Sequence, residues 1–142
     1  MFCYERRRKC RLFSIVALLA LLSGGVIFAK TLLLDDSDNK THVGLYVGDT
    51  LSVKLKSNGT TGYSWSAKEL PPALKLLVTK NESGKGIQAG EPGFQIFAHK
   101  AVATGVATLR MEYSRPFEKG TPPVSVFTVS ISVEQRPAPP KQ

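Results

Sequence analysis

Thr50-Leu51-Ser52-Val53-Lys54-Leu55-Lys56-Ser57 alternates apolar and polar side chains from end to end. Leu51, Val53 and Leu55 fall on one side, and Ser52, Lys54 and Lys56 on the other. That period of two marks a strand with one face in a core and one in water. Immediately after it come Asn58-Gly59-Thr60-Thr61-Gly62 and an aromatic strand start, Tyr63-Ser64-Trp65. Two glycines so close together let the backbone bend sharply without Cβ clashes. Nothing in this loop can pack a core, so Thr60 and Thr61 are expected at an exposed tip. Alone, such a loop reads as a plain turn; a presented binding edge is the other use of the same chemistry.

The same logic extends in both directions. Residues 42–47 form a short strand, and Gly48-Asp49 is a turn. Tyr63 and Trp65 share an inward face, with Trp65 as the central core aromatic. Leu70-Pro71-Pro72 breaks the pattern before a strand at about residues 75–79. Residues 81–93, with four glycines and Pro92, form a long loop of the kind that often carries function. Residues 94–103 are a strand. So are residues 106–113, with Ala107, Leu109, Met111 and Tyr113 on one face. Residues 114–123 form a second long loop. Residues 124–133 alternate again, with Phe127, Val129, Ile131 and Val133 together. About seven short strands with no amphipathic helix read as an all-β, antiparallel two-sheet sandwich. An up-and-down barrel is the alternative.

Ahead of this domain, Arg6, Arg7, Arg8, Lys9 and Arg11 precede an apolar run over residues 12–29. A basic segment followed by an apolar one is the pattern of an export signal. Small residues at Ser23, Gly25 and Ala29 offer cleavage points, although Ile27 fits poorly before a cut after Ala29. The run is also close to the minimum length of a membrane span, so an uncleaved anchor is the other outcome. The domain is therefore expected in a periplasm or outside the cell, or held at an inner membrane by residues 12–29. Residues 30–41 are read as a poorly ordered tether, 42–134 as the folded domain and 135–142 as a proline-rich tail. Cys3 and Cys10 lie in the leader, and no cysteine follows. The domain must therefore hold itself together by burial, which its length allows.

Charge and inventory exclude several functions. The chain carries 19 Lys+Arg and 11 Asp+Glu, a net +8. The leader holds five of the former and one of the latter, leaving 14 against 10 and a net +4 in the rest. With no Lys/Arg run there, nucleic acid is not expected as a partner. His42 and His99 are the only histidines, on separate strands, with no His/Cys/Asp cluster at metal-ligand spacing. His99 reads as a surface or half-buried sheet residue. No nucleophile elbow or phosphate-binding loop appears, and Gly84-Lys85-Gly86 is too short to be one. No catalytic residue, cofactor or metal is expected, and a secreted enzyme is a remote reading.

In a sandwich with this strand order, the loops at 58–62, 81–93 and 115–123 emerge at one end. Their residues resemble the chagasin-like inhibitors of papain-type cysteine peptidases. The family's first loop reads Asn-Pro-Thr-Thr-Gly-Tyr, beside Asn58-Gly59-Thr60-Thr61-Gly62-Tyr63 here. Its second is glycine-rich and precedes a strand, like Gly90-Glu91-Pro92-Gly93-Phe94-Gln95. Its third reads Arg-Pro-Trp or Arg-Pro-Phe after a strand ending in Tyr, beside Tyr113-Ser114-Arg115-Pro116-Phe117. Each motif is weak alone, but three in order over residues 47–133 are specific.

The resemblance implies an immunoglobulin-like fold and a monomeric, reversible, competitive inhibitor of papain-like cysteine peptidases. Asn58, Gly59, Thr60, Thr61 and Gly62 would enter the cleft, braced by Gly90 and Gly93 on one side and Arg115, Pro116 and Phe117 on the other. A standard enzyme–inhibitor interface buries roughly 1,600 Å². Two residues depart from the family pattern. Gly59 replaces a proline, which loosens the free loop by about 0.4–1 kcal/mol. Phe117 in place of Trp loses area and an indole N–H, which bears on target range. The rival reading is a non-inhibitory extracytoplasmic adhesion or binding module using the same edge. Asn58-Gly59-Thr60 and Asn81-Glu82-Ser83 also fit the N-glycosylation pattern, and a glycan on Asn58 would block the wedge.

Overall fold

Leu51, Val53 and Leu55 are completely buried, as the alternation of their strand requires. In the computed structural model, which describes residues 28–84 and 92–138, that strand lies inside one of two four-stranded sheets. The strands are β1 (Thr31–Asp35), β2 (His42–Tyr46), β3 (Thr50–Ser57), β4 (Ser64–Glu69), β5 (Leu74–Glu82), β6 (Gly93–Ala101), β7 (Gly105–Ser114) and β8 (Ser125–Glu134). One sheet has the order β1-β3-β6-β5, the other β2-β8-β7-β4. Leu109, Met111, Phe127, Val129 and Ile131 face Leu51, Val53, Leu55 and Phe97 in one continuous core. Residues 1–27, which hold the signal-or-anchor segment, and residues 139–142 at the end of the proline-rich tail lie outside the described part.

The expected two-sheet sandwich is present, with two differences. Eight strands are described rather than about seven, and not all pairing is antiparallel. β1 pairs in parallel with β3, Leu32 opposite Leu51 and Leu34 opposite Val53. β2 pairs in parallel with β8. The stretch read as a tether is therefore built into the domain over residues 31–35 and beyond. Leu34 is 5% exposed and Leu32 packs against the core, while Leu33 faces out at 73%. Burying two of three consecutive leucines supplies the stability a free tether would lack.

After β1 the chain turns through a 3-10 helix at Asp36–Asp38. Asp35 caps it by accepting from the Ser37 amide, and Asp38 accepts from the Asp35 amide in return. Asn39 then acts as a side-chain rung against β8. Its carboxamide oxygen accepts from the Thr128 amide at 2.9 Å and its Nδ2 donates to the Val126 carbonyl at 3.1 Å.

Two buried polar side chains were not expected from the sequence. His99 is fully buried, not at the surface or half-buried. It shares the inward register of Phe97 and Ala101 on β6, opposite Leu51. Neither ring nitrogen has a hydrogen-bond partner among the described residues. Burial pushes its pKa down to about 4, so the ring is neutral at pH 7. Asp49, in the β2–β3 turn, is 3% exposed. Burial opposes its ionisation, but the Lys30 and Tyr46 amides and the Arg136 guanidinium outweigh that and hold its carboxyl below the usual range. The amides donate at 2.9 and 3.0 Å, and Arg136 forms an ion pair with the same carboxylate while lying over the Tyr46 ring.

Candidate functional site

The register places three connections at one end of the sandwich. β3 finishes at Ser57, opposite Gly93 at the start of β6. β5 ends at Glu82, opposite Phe94. β4 starts at Ser64 opposite Ser114, the last residue of β7, and Tyr113 pairs with Ser125 at the start of β8. The β3–β4 and β7–β8 loops, and the described ends of the β5–β6 loop, therefore share an edge.

The first loop is wound rather than slack. Gly59–Thr61 forms one 3-10 turn with Asn58 as its cap and Gly62 in the left-handed conformation at φ 77°. The Asn58 side-chain oxygen accepts from the Thr60 amide at 3.2 Å and the Thr60 hydroxyl at 2.7 Å. The Asn58 carbonyl accepts from the Thr61 amide and hydroxyl. Both threonine hydroxyls thus donate inward, and their oxygens remain as acceptors on an exposed tip. Gly62 suits its place twice: its φ favours glycine, and a Cβ there would meet the Phe117 ring at 3.4 Å. Nothing lies within 4 Å of a Cβ built on Gly59.

Phe117 rests on Gly62 and is still 70% exposed. It follows exposed Pro116 and half-buried Arg115. The Arg115 guanidinium lies 4.5 Å over the Tyr63 ring and donates to Glu118 at 2.8 Å; that hydrogen bond raises its pKa above the ordinary value. Tyr63 stacks on Tyr113 at 5.5 Å, and Tyr113 contacts Trp65 at 5.1 Å. The Trp65 indole donates to the Lys56 carbonyl at 2.8 Å. An aromatic ladder thus runs from the core to the loops, and loops one and three touch.

The second loop is different. Gly93 is buried, and a Cβ there would come 2.1 Å from the Glu82 carbonyl oxygen. Its glycine identity is explained by this close crossing of β5 and β6, a packing role the sequence reading did not separate from a contact role. Gly90 lies outside the described residues. Sequence reasoning also missed Gln95, whose side-chain oxygen accepts from the Trp65 amide at 2.7 Å and lies 3.3 Å from the Ser57 hydroxyl. A polar residue in the inward register of β6 was the available signal.

Two sheets packed face to face define a β-sandwich domain, and its β3–β4 and β7–β8 loops form an exposed edge. Among the described residues, no group of three or more His, Cys, Asp or Glu could hold a metal. Residues 45–131 match the Chagasin family peptidase inhibitor I42, and the chain belongs to this family, whose members inhibit cysteine proteases and are not enzymes. Amoebiasin-2 of Entamoeba histolytica is 28% identical over 101 residues, covering 68% of this chain and 82% of that protein. The crystal structure of EhICP2, a cysteine protease inhibitor from Entamoeba histolytica, superposes with a TM-score of 0.69 at 22% identity, over 75% of this chain and 97% of the other. The solution structure of Amebosin gives 0.62 at 21% identity, over 75% of this chain and all of the other. These two likenesses are of fold.

Proposed function

We propose that the edge formed by residues 58–62 and Phe117 enters the active-site cleft of papain-like cysteine peptidases and blocks it reversibly and competitively. The observation that carries this reading is the exposed Phe117 ring seated on Gly62 beside the threonine tip, in a chain of the chagasin family. Phe117 supplies apolar area at the cleft rim. The Thr60 and Thr61 oxygens accept hydrogen bonds from donors in the cleft. The tip is wound into a 3-10 turn, so it offers no extended backbone for attack, which fits an inhibitor that is not cut. Arg115 and Pro116 brace the tip from the third loop, and the described ends of the β5–β6 loop, Ser83 and Gly93, flank its other side. The leader sequence supports export, with the domain acting outside the cytoplasm.

The test is a titration of the full chain against papain with a fluorogenic peptide substrate, beside a trypsin control. Competitive loss of papain activity with trypsin untouched is the expected result. Papain left fully active at micromolar protein would overturn papain-type inhibition as read here.

A further inference from the structure

Tyr113 stands out because three of its parts hold three different pieces of the edge. Its hydroxyl accepts the Asn58 amide proton at 2.9 Å, just before the first loop's turn. Its carbonyl accepts from the Val124 amide at 2.9 Å, where the third loop returns to β8. Its ring packs against Tyr63, which in turn carries Arg115. We propose that Tyr113 is a positioning residue for inhibition: it sets the first loop against the third without itself touching the peptidase. This rests on the loop-edge reading above and names the residue that makes the edge one unit.

The side chain is suited to the task. It is half-buried on β7, in the register of the buried Met111 and Leu109. The ring therefore has little freedom, and its hydroxyl is held where the chain leaves β3. Asn58 is the cap of the turn that carries Thr60 and Thr61, so whatever fixes the Asn58 backbone fixes the height of the tip. A small displacement of a wedge costs several contacts at once, so a residue outside the interface can control affinity.

Tyr113→Phe deletes the hydroxyl and keeps the ring. Three readouts are needed: the inhibition constant, the exchange rate of the Asn58 amide, and the inhibition constants of Gly59→Pro alone and combined with Tyr113→Phe. The expected result is about five- to tenfold weaker inhibition, from loss of one hydrogen bond and loosening of the tip. Asn58 exchange should be faster, while amides in β3 and β8 keep their protection. Proline at position 59 presets the loop on its own, so Tyr113→Phe should cost less affinity when measured against Gly59→Pro alone than against the wild-type chain, a non-additivity that two independent losses of stability would not give. Unchanged inhibition by Tyr113→Phe, with an active wild-type chain, overturns the proposal. If the wild-type chain inhibits nothing, the functional reading has failed instead. In that case Asn58 exchange bears only on the geometric part, that Tyr113 holds the first loop: faster exchange supports it and unchanged exchange overturns it.

Discussion

The two ends of the sandwich are built on opposite principles. At one end the buried Asp49 carboxylate gathers the Lys30 and Tyr46 amides and Arg136, and the Asp49 backbone pairs with Ala101. At the other end the exposed first loop is held by short-range bonds to Asn58, by Tyr113 and by Phe117 resting on Gly62. A buried charge is costly to leave unpaired, so the first end is a point of stability. Local bonds on an exposed tip define a shape at small cost to the fold. With the loop edge as the proposed contact surface, stability and recognition are separable here, and substitutions should sort by end.

Asp49→Ala should break that contrast hardest. It removes the acceptor for two amides and a guanidinium, at an expected loss of about 3–4 kcal/mol in denaturant unfolding. Inhibition by the fraction still folded should be unchanged.

Acid should come next, and it acts away from the loops. His99 titrates near 6.5 when unfolded and near 4 when folded. The neutral ring's stabilisation is complete above the unfolded value and is lost as pH falls between these two values. The shift corresponds to roughly 3 kcal/mol. Asp49, whose folded pKa is depressed, adds a further loss only below its unfolded value of 3.8. His99→Leu should raise stability and flatten the upper window, seen as a smaller change in urea midpoint between pH 7 and pH 4.

The loop end should show the reverse pattern. Thr61→Ala with Phe117→Ala should weaken inhibition by about 30-fold or more, the scale of a hot spot near 2 kcal/mol. Its unfolding midpoint should stay close to wild type, because both side chains are exposed. A large drop in stability would remove the distinction between the ends. The smallest effect is expected from Gly59→Pro. Gly59 opens a 3-10 turn, has open space around its Cβ position, and follows Asn58 in extended backbone at φ −114° and ψ 94°. Proline fits each of these conditions, so the loop should gain about 0.4–1 kcal/mol, read as two- to fivefold tighter inhibition.

Strands β3, β7 and β8 were legible because each buries one face against solvent on the other, and alternation follows directly. β1 was not, because Leu32-Leu33-Leu34 followed by aspartates carries no alternation. Its pairing is with β3, which the chain reaches only after crossing to the other sheet for β2 and returning through the β2–β3 turn. β5 was read too short: it is an edge strand with a register shift between Leu76 and Val78, and only Leu74 is buried. Asn58, Thr60, Thr61 and Phe117 were singled out from their motifs. The seat of Phe117 on Gly62, and the reach of Tyr113 to Asn58, depend on β3, β4 and β7 being brought together in space. Single-sequence spacing does not contain that information. His99 was legible in principle, since it alternates with Phe97 and Ala101, but its polarity argued against the inward face.

The Asp49 carboxylate binds residues close to both ends of the domain, Lys30 at its start and Arg136 beyond its last strand. The eight residues of β3 separate that point from the first loop, a rise of about 26 Å at roughly 3.3 Å per residue. The domain therefore has a handle at one pole and the proposed contact edge at the other. The chain thus passes into the domain at Lys30 and out past Arg136 beside a single carboxylate, at the end opposite the threonine tip.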